Sequence, residues 1–154
     1  MPSVNARLAE RGIRLPEPGE PGANYIQFVR TGQLLCITGQ LPKVGNERKF
    51  IGRLGAEFDV KQGQEAARLC ALNILAVVNL ALEGNLDRVV RCVRVRGFVN
   101  GTPEFTGHSQ VMNGASDLLV EVFGEAGRHT RVAVGATLPY GCAVEVEADF
   151  ELRD

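Results

Sequence analysis

Apolar residues recur along this chain with two different spacings, and the places where the spacing changes mark out the elements. Residues 144–152 read Val-Glu-Val-Glu-Ala-Asp-Phe-Glu-Leu. That period of two predicts a strand with Val144, Val146, Ala148, Phe150 and Leu152 on one face. Glu145, Glu147, Asp149 and Glu151 take the other face. Residues 88–100 (RVVRCVRVRGFVN) mix Val with Arg and predict a second long strand. NYIQFVRTGQLLCITGQLP reads as a hairpin, with strands near Tyr25–Arg30 and Leu34–Thr38 and a turn at Thr31-Gly32. Residues 131–150 close the chain as two strands joined by a Leu-Pro-Tyr-Gly turn.

Helical spacing dominates elsewhere. Asp59 with Gln62 three residues on is a capping-box pattern, and Gly84 is a C-terminal stop. The helix between them has about 24 residues and runs roughly 36 Å. Its second half is apolar on most faces, which predicts burial against a sheet. VMNGASDLLVEVFGEAG is a second, amphipathic helix ending near Gly124 or Gly127. SVNARLAERGI is a short helix capped by Ser3, and PEPGEPG (Pro16–Gly22) is a stiff connector. KVGNERKFIGRLG is a loop with one short strand. The order β-β-(β)-α-β-α-β-β predicts one α+β domain over 1–154, a mixed sheet with both long helices on one face.

Composition narrows the function. The chain has 154 residues, 45% hydrophobic and 23% charged, with net charge -1. That is an ordinary globular balance, without the basic surface that nucleic acid or an anionic membrane requires. No stretch reaches the roughly 20 apolar residues of a membrane span. Cys36, Cys70, Cys92 and Cys142 stand singly in apolar runs, which predicts free core thiols and a reducing, cytoplasmic setting. The two histidines, His108 and His129, have no metal-ligand spacing, so no zinc site is expected.

The acidic row of the last strand and Arg88, Arg91, Arg94 and Arg96 fit two strands that neutralise each other across a ladder. That leaves one sheet face without helices, open to oligomer contact. Arg131 has two readings. Together with Arg128 and His129 it suits the negative end of the second helix. Alternatively its guanidinium grips a carboxylate, with Ala133 and Gly135 leaving room for a ligand.

ANYIQFV with TGQLLCITGQLP, VMNGASDLLVEVFGEAG, and the ending R-V-A-V-G…LP…VEVEA resemble the YjgF/Rid family of reactive-intermediate imine deaminases. ARLAERGIRLP and the long first helix are similar to its chorismate-mutase-like subgroup. The resemblance implies a mixed six-stranded sheet with two helices on one face, a homotrimer, and active sites in clefts between subunits. It also implies roles. Arg131 holds the substrate carboxylate, which Thr38 and Gly39 contact through a hydroxyl and a backbone N–H. Tyr25 walls the cleft, and Asn113 contributes from the second helix. Glu145 handles the attacking water, which the Ala133 carbonyl orients. Tyr25 and Asn113 have plainer readings as a core aromatic and a helix staple.

Counted back from Leu138-Pro139, the family arginine falls on Thr130; matched on Val134-Gly135, it falls on Arg131 with a turn one residue shorter. The second match is preferred here, because a one-residue strand shift turns every side chain to the other face. The implied activity is cofactor-free hydrolysis of small 2-imino or enamine acids to 2-keto acids and ammonia. The alternative is a trimer that binds a small carboxylic metabolite without turnover. Ribonuclease activity fits poorly with the charge, and chorismate rearrangement rests on fold likeness alone.

Overall fold

The computed structural model describes residues 1–154. Its elements are α1 (Val4–Glu10), β1 (Phe28–Thr31), β2 (Leu34–Gln40), β3 (Lys43–Val44), β4 (Glu47–Arg48), α2 (Val60–Ala81), β5 (Val89–Val99), α3 (His108–Phe123), β6 (Thr130–Gly135) and β7 (Val144–Leu152). The main sheet is mixed, with strand order β1-β2-β7-β5-β6. β7 runs antiparallel to both of its neighbours, and β6 runs parallel to β5.

The alternating last strand sits at the centre of this sheet. Its five apolar residues are all buried, and Leu35, Ile37, Cys92, Val95 and Val99 join them from β2 and β5. α2 and α3 cover that face. As the capping-box pattern predicted, Asp59 accepts from Gln62 N–H at 2.8 Å and Gln62 Oε1 accepts from Asp59 N–H at 2.9 Å. Residues 74–78 of α2 are buried one after another, as the all-round apolar pattern required. The two helices approach so closely that a side chain at Gly114 would strike the backbone carbonyl of Gln64. The stop falls slightly earlier than Gly84. Glu83 already takes left-handed backbone (φ 52°), and Gly84 N–H bonds back to Asn79 O at 2.9 Å, which closes a Schellman motif.

Two expectations need correction. The main sheet has five strands, not six: residues 43–48 form a separate two-stranded ribbon turning on Gly45 (φ 61°). Pro42 precedes it, and a residue without an N–H cannot carry the β2 ladder onward. The last two strands are also not hairpin partners, because β5 lies between them. The α3 crossover returns β6 parallel to β5, and Ala136 N–H extends that pairing to Val99 O at 3.0 Å. The chain must then pass the end of β5 to reach the only slot that buries a fully apolar strand face.

The third helix, α1, is tied to the body as well as capped. Ser3 Oγ accepts from Ala6 N–H, Val4 N–H donates to Asp87 Oδ1 at 2.8 Å, and Arg7 Nη1 donates to Val122 O at 3.2 Å. On the sheet face opposite the long helices, Arg96 bridges Glu147 and Asp149, both at 3.2 Å. The neutralising ladder therefore runs through this one arginine. Register shifts at Val89/Arg91 and Cys92/Arg94 break the alternation of β5, so Val93 and Arg94 are both exposed. Three of the cysteines are buried; Cys36 is half-buried opposite Asp149 on the open face, so it is not a core thiol.

Candidate functional site

A cavity of about 300 Å³ opens at the end of the sheet where β7 begins. Tyr25, Thr38, Gly39 and Glu145 all line it. A bulge in β2 brings them together: Ile37 pairs with Ala148 and Gln40 with Val146, so Thr38 and Gly39 share the space opposite one residue of β7. Gly39 leaves the room that the Glu145 carboxylate fills. Thr38 Oγ1 donates to Ile26 O at 2.6 Å, so its lone pairs are the part of the hydroxyl left for a ligand. Gln40, buried, donates to Thr38 O at 2.9 Å and to Gln27 Oε1 at 3.1 Å, which stiffens the bulge from behind.

Glu145 is the electrostatic centre of the cavity. Burial first, and the like charge of Glu147 second, push its carboxyl above the ordinary carboxylate value. No cation lies within 4 Å of it. A half-buried carboxyl with a raised pKa and no ion-pair partner is the state suited to proton transfer.

Arg131, Ala133 and Asn113 lie elsewhere. Arg131 projects to the helix side of edge strand β6. Nη1 donates to Asn113 Oδ1 and Ser116 Oγ, both at 3.0 Å; Nη2 donates to Ser109 Oγ at 2.8 Å and Ser109 O at 3.2 Å. Those four contacts match its four terminal N–H groups and leave Nε–H free. Ser116 also meets His129 Nε2 at 2.9 Å, while His129 Nδ1 meets Gly127 O at 2.6 Å. A carbonyl only accepts, so Nδ1 carries the proton and Nε2 accepts from Ser116. Burial holds His129 below its ordinary pKa, with Arg131 adding to the effect.

Within one chain, then, Arg131 and Glu145 stand on opposite faces of the sheet, two strands apart. Arg131 shares its face with Ala133, two residues on, and its guanidinium with Asn113. Thr130 points to the open face, where Oγ1 donates to Val93 O at 3.0 Å. The predicted residues thus fall into two groups, one around the β2 bulge and the start of β7, the other on edge strand β6 and the facing side of α3.

Sequence reasoning missed several lining residues. Lys43 and Arg48 reach the cavity from the β3–β4 ribbon, and Glu20 reaches it from the Pro/Gly connector, which forms a wall. Tyr140 lines the mouth in left-handed backbone (φ 60°), with the Arg48 guanidinium 3.4 Å from its ring centre. Asn73, noticed only as a break in an apolar run, donates to Leu41 O and Lys43 O at 3.0 Å each, pinning the ribbon to α2. The one available signal was the basic pair flanking a Gly-Asn turn.

A one-sided mixed sheet, two long helices crossing on it, and a carboxyl-bearing cavity at the sheet's end define the class of protein. The chain belongs to the family described as "YjgF/chorismate mutase-like, putative endoribonuclease", which matches residues 5–146. It is 50% identical to Protein TCP17 of Trypanosoma cruzi over 98% of this chain and 95% of that one. Among solved structures it is similar to Atu1372 of Agrobacterium tumefaciens, described as of unknown function, with 43% identity, TM-score 0.90, and 97% and 92% of the two chains covered. It is also similar to a structure from Shewanella oneidensis described as a putative endoribonuclease, with 34% identity, TM-score 0.94, and 98% and 100% covered. The likeness to the YjgF gene product of E. coli, at 22% identity and TM-score 0.64 over 91% and 96% of the chains, is one of fold. No helix of this chain is long and apolar enough to cross a membrane.

Proposed function

We propose that the protein hydrolyses small 2-imino or enamine acids to 2-keto acids and ammonia in clefts between the subunits of a homotrimer. One observation carries this reading: the Glu145 carboxyl, raised in pKa and free of ion pairs, faces a cavity beside Thr38 and Gly39. The geometry of the single chain supports the trimer. Arg131 and Glu145 lie on opposite faces and serve one ligand only if an adjacent subunit brings its β6 edge to this cavity. The open face carries apolar residues that such packing would cover: Val29, Val132 and Val134 are 50%, 48% and 43% exposed.

In this mechanism Arg131 of the adjacent subunit holds the substrate carboxylate, exchanging a Ser109 contact for a charge-assisted one. Water adds to the imine carbon, and Glu145 takes its proton. With the imine protonated at the start, this gives a neutral carbinolamine. Glu145 returns the proton to its nitrogen, the C–N bond breaks with ammonia as the leaving group, and the C=O bond forms as the hydroxyl proton passes back to Glu145 and on to the departing ammonia. The imine is already electrophilic, so positioning and one proton carrier suffice. The Ala133 carbonyl orients the water, Tyr25 walls the cleft, and Asn113 holds Arg131.

The test is ammonia release from 2-iminobutyrate generated in place, followed beside calorimetry with 2-ketobutyrate. Wild type is expected to accelerate release, and Glu145→Gln to bind the keto acid while slowing release by about two to four orders of magnitude. Binding without acceleration in the wild type assigns a non-catalytic carboxylate-binding role instead. Neither binding nor release overturns both.

A further inference from the structure

The cavity contains two cations that the hydrolytic reading does not use. Lys43 and Arg48 are direct cross-strand partners on the β3–β4 ribbon, and both line the cavity. Like charges directly opposite each other on a ribbon are destabilising, and a ribbon with two residues per strand has little to offset that. Neither cation has a carboxylate within 4 Å, although Glu20 lines the same cavity. The ribbon's own acid, Glu47, pairs with Lys49 at 2.8 Å instead.

The pair is also held in place. The buried Asn73 amide bonds the carbonyls on either side of Pro42-Lys43, fixing the root of the ribbon. The central carbon of the Arg48 guanidinium lies 3.4 Å over the Tyr140 ring centre, and the Tyr140 backbone occupies a conformation that aromatic residues rarely adopt. Stacking restrains the side chain while leaving the edge of the guanidinium, where its N–H donors lie, for a planar anion. A fixed, repelling, unpaired pair of cations facing a cavity is a site waiting for negative charge.

We infer that Lys43 and Arg48 recognise a second carboxylate on the substrate, so that the preferred ligands are dicarboxylic 2-imino and 2-keto acids. This inference rests on the hydrolytic reading for the reacting end of the ligand, where Glu145 and the adjacent subunit's Arg131 act. The ribbon end then sets specificity: the distal acid meets Lys43 and Arg48, and a short apolar chain meets two uncompensated cations. The connector wall near Gly19, beside which the Lys43 ammonium lies, closes the site from the other side.

The test is titration calorimetry on the assembled protein with 2-ketoglutarate and 2-ketobutyrate at fixed ionic strength. The dicarboxylate is expected to bind at least about tenfold more tightly, a difference that one charge-assisted contact supplies. The double variant K43M/R48Q is expected to bring that ratio towards one, and Arg48→Lys, which keeps the charge and loses the stacked planar fork, to give a ratio between the two. Equal affinities in the wild type, or a ratio that survives K43M/R48Q, overturn the inference. The hydrolytic reading then still stands on 2-ketobutyrate binding and ammonia release from 2-iminobutyrate. Inorganic phosphate serves as a competitor. If it displaces 2-ketoglutarate at lower concentration than succinate does, the cations serve a phosphate and the dicarboxylate assignment fails. If K43M/R48Q instead dissociates the oligomer and the wild type shows no ratio, the cations pair with an adjacent subunit, and the assignment fails as well.

Discussion

The Glu145 carboxylate occupies the space that a side chain at Gly39 would need: a β-carbon there would lie 2.9 Å from Glu145 Oε1 and 3.3 Å from its Cδ. The backbone of Gly39 is not left-handed, so the requirement is for room and not for an unusual φ. Gly39→Ala is therefore expected to fold, because the end of the glutamate side chain can swing away. It should move the carboxylate from its place and lower turnover by about tenfold or more, since small misplacements of a catalytic group cost rate steeply. Thermal unfolding beside the ammonia-release assay checks both halves.

The raised pKa of Glu145 also has a stability signature. Between the ordinary carboxylate value and its raised folded value, the folded state binds more protons than the unfolded state. Stability therefore falls as pH rises through that window. Glu145→Gln removes the ionisable group, so its gain over wild type should be present at neutral pH and absent below the ordinary carboxylate range. Urea denaturation at pH 4 and pH 7 measures the difference. A gain that is equal at both pH values contradicts the raised pKa.

Arg131 joins β6 to α3 through four contacts, so its replacement has two consequences. Arg131→Lys keeps the charge and loses the planar fork, with a stability cost of about 1–2 kcal/mol. Affinity for 2-ketobutyrate should fall by one to two orders of magnitude, roughly the worth of a charge-assisted bidentate contact. Thr130→Ala loses a single bond to Val93 O on the opposite face and should leave affinity nearly unchanged. Wild-type binding in Arg131→Lys with loss in Thr130→Ala would place the family arginine's role one residue earlier.

Thiol reactivity should separate the cysteines into two classes. Cys70, Cys92 and Cys142 are buried, and burial pushes the Cys92 thiol up to about 12. Cys36 is half-buried on the open face, its thiol raised by desolvation and by neighbouring Asp149. All four should titrate after unfolding without reductant, and at most Cys36 before it. If the oligomer covers the open face, Cys36 should react faster when the subunits are separated by dilution.

Gly114→Ala should destabilise the fold strongly. Its β-carbon would meet the Gln64 carbonyl, which belongs to helix backbone and cannot swing aside as a side chain does. Separating α2 from α3 should cost about 3 kcal/mol. A melting temperature within a degree or two of wild type would show that the two helices are free to slide.

Much of this fold is local chemistry and was legible in the sequence. The capping box at Asp59 and Gln62, the alternation of residues 144–152 and the all-round apolar run of α2 each act over a few residues. The capping box marks where α2 begins, the alternation says which face of β7 is buried, and the apolar run says that α2 is buried nearly all round. Pairing order was not legible in that way: β6 and β7 follow one another in the chain, yet β5 separates them. A strand's neighbours depend on which slot buries its apolar face and on the direction in which a crossover helix delivers it. The site divides along the same line. Glu145, Thr38, Gly39 and Tyr25 were readable as residue types at motif positions, and the fold brings them to one cavity. That Arg131 faces the helices while Glu145 faces away follows from strand register, which a one-residue bulge reverses. Lys43 and Arg48 left almost no trace in the sequence, because a lysine and an arginine on a short ribbon look like ordinary solvated charge. Only the tertiary structure folds that ribbon over the cavity, where their position beside each other and beside Glu145 gives the same two charges a different meaning.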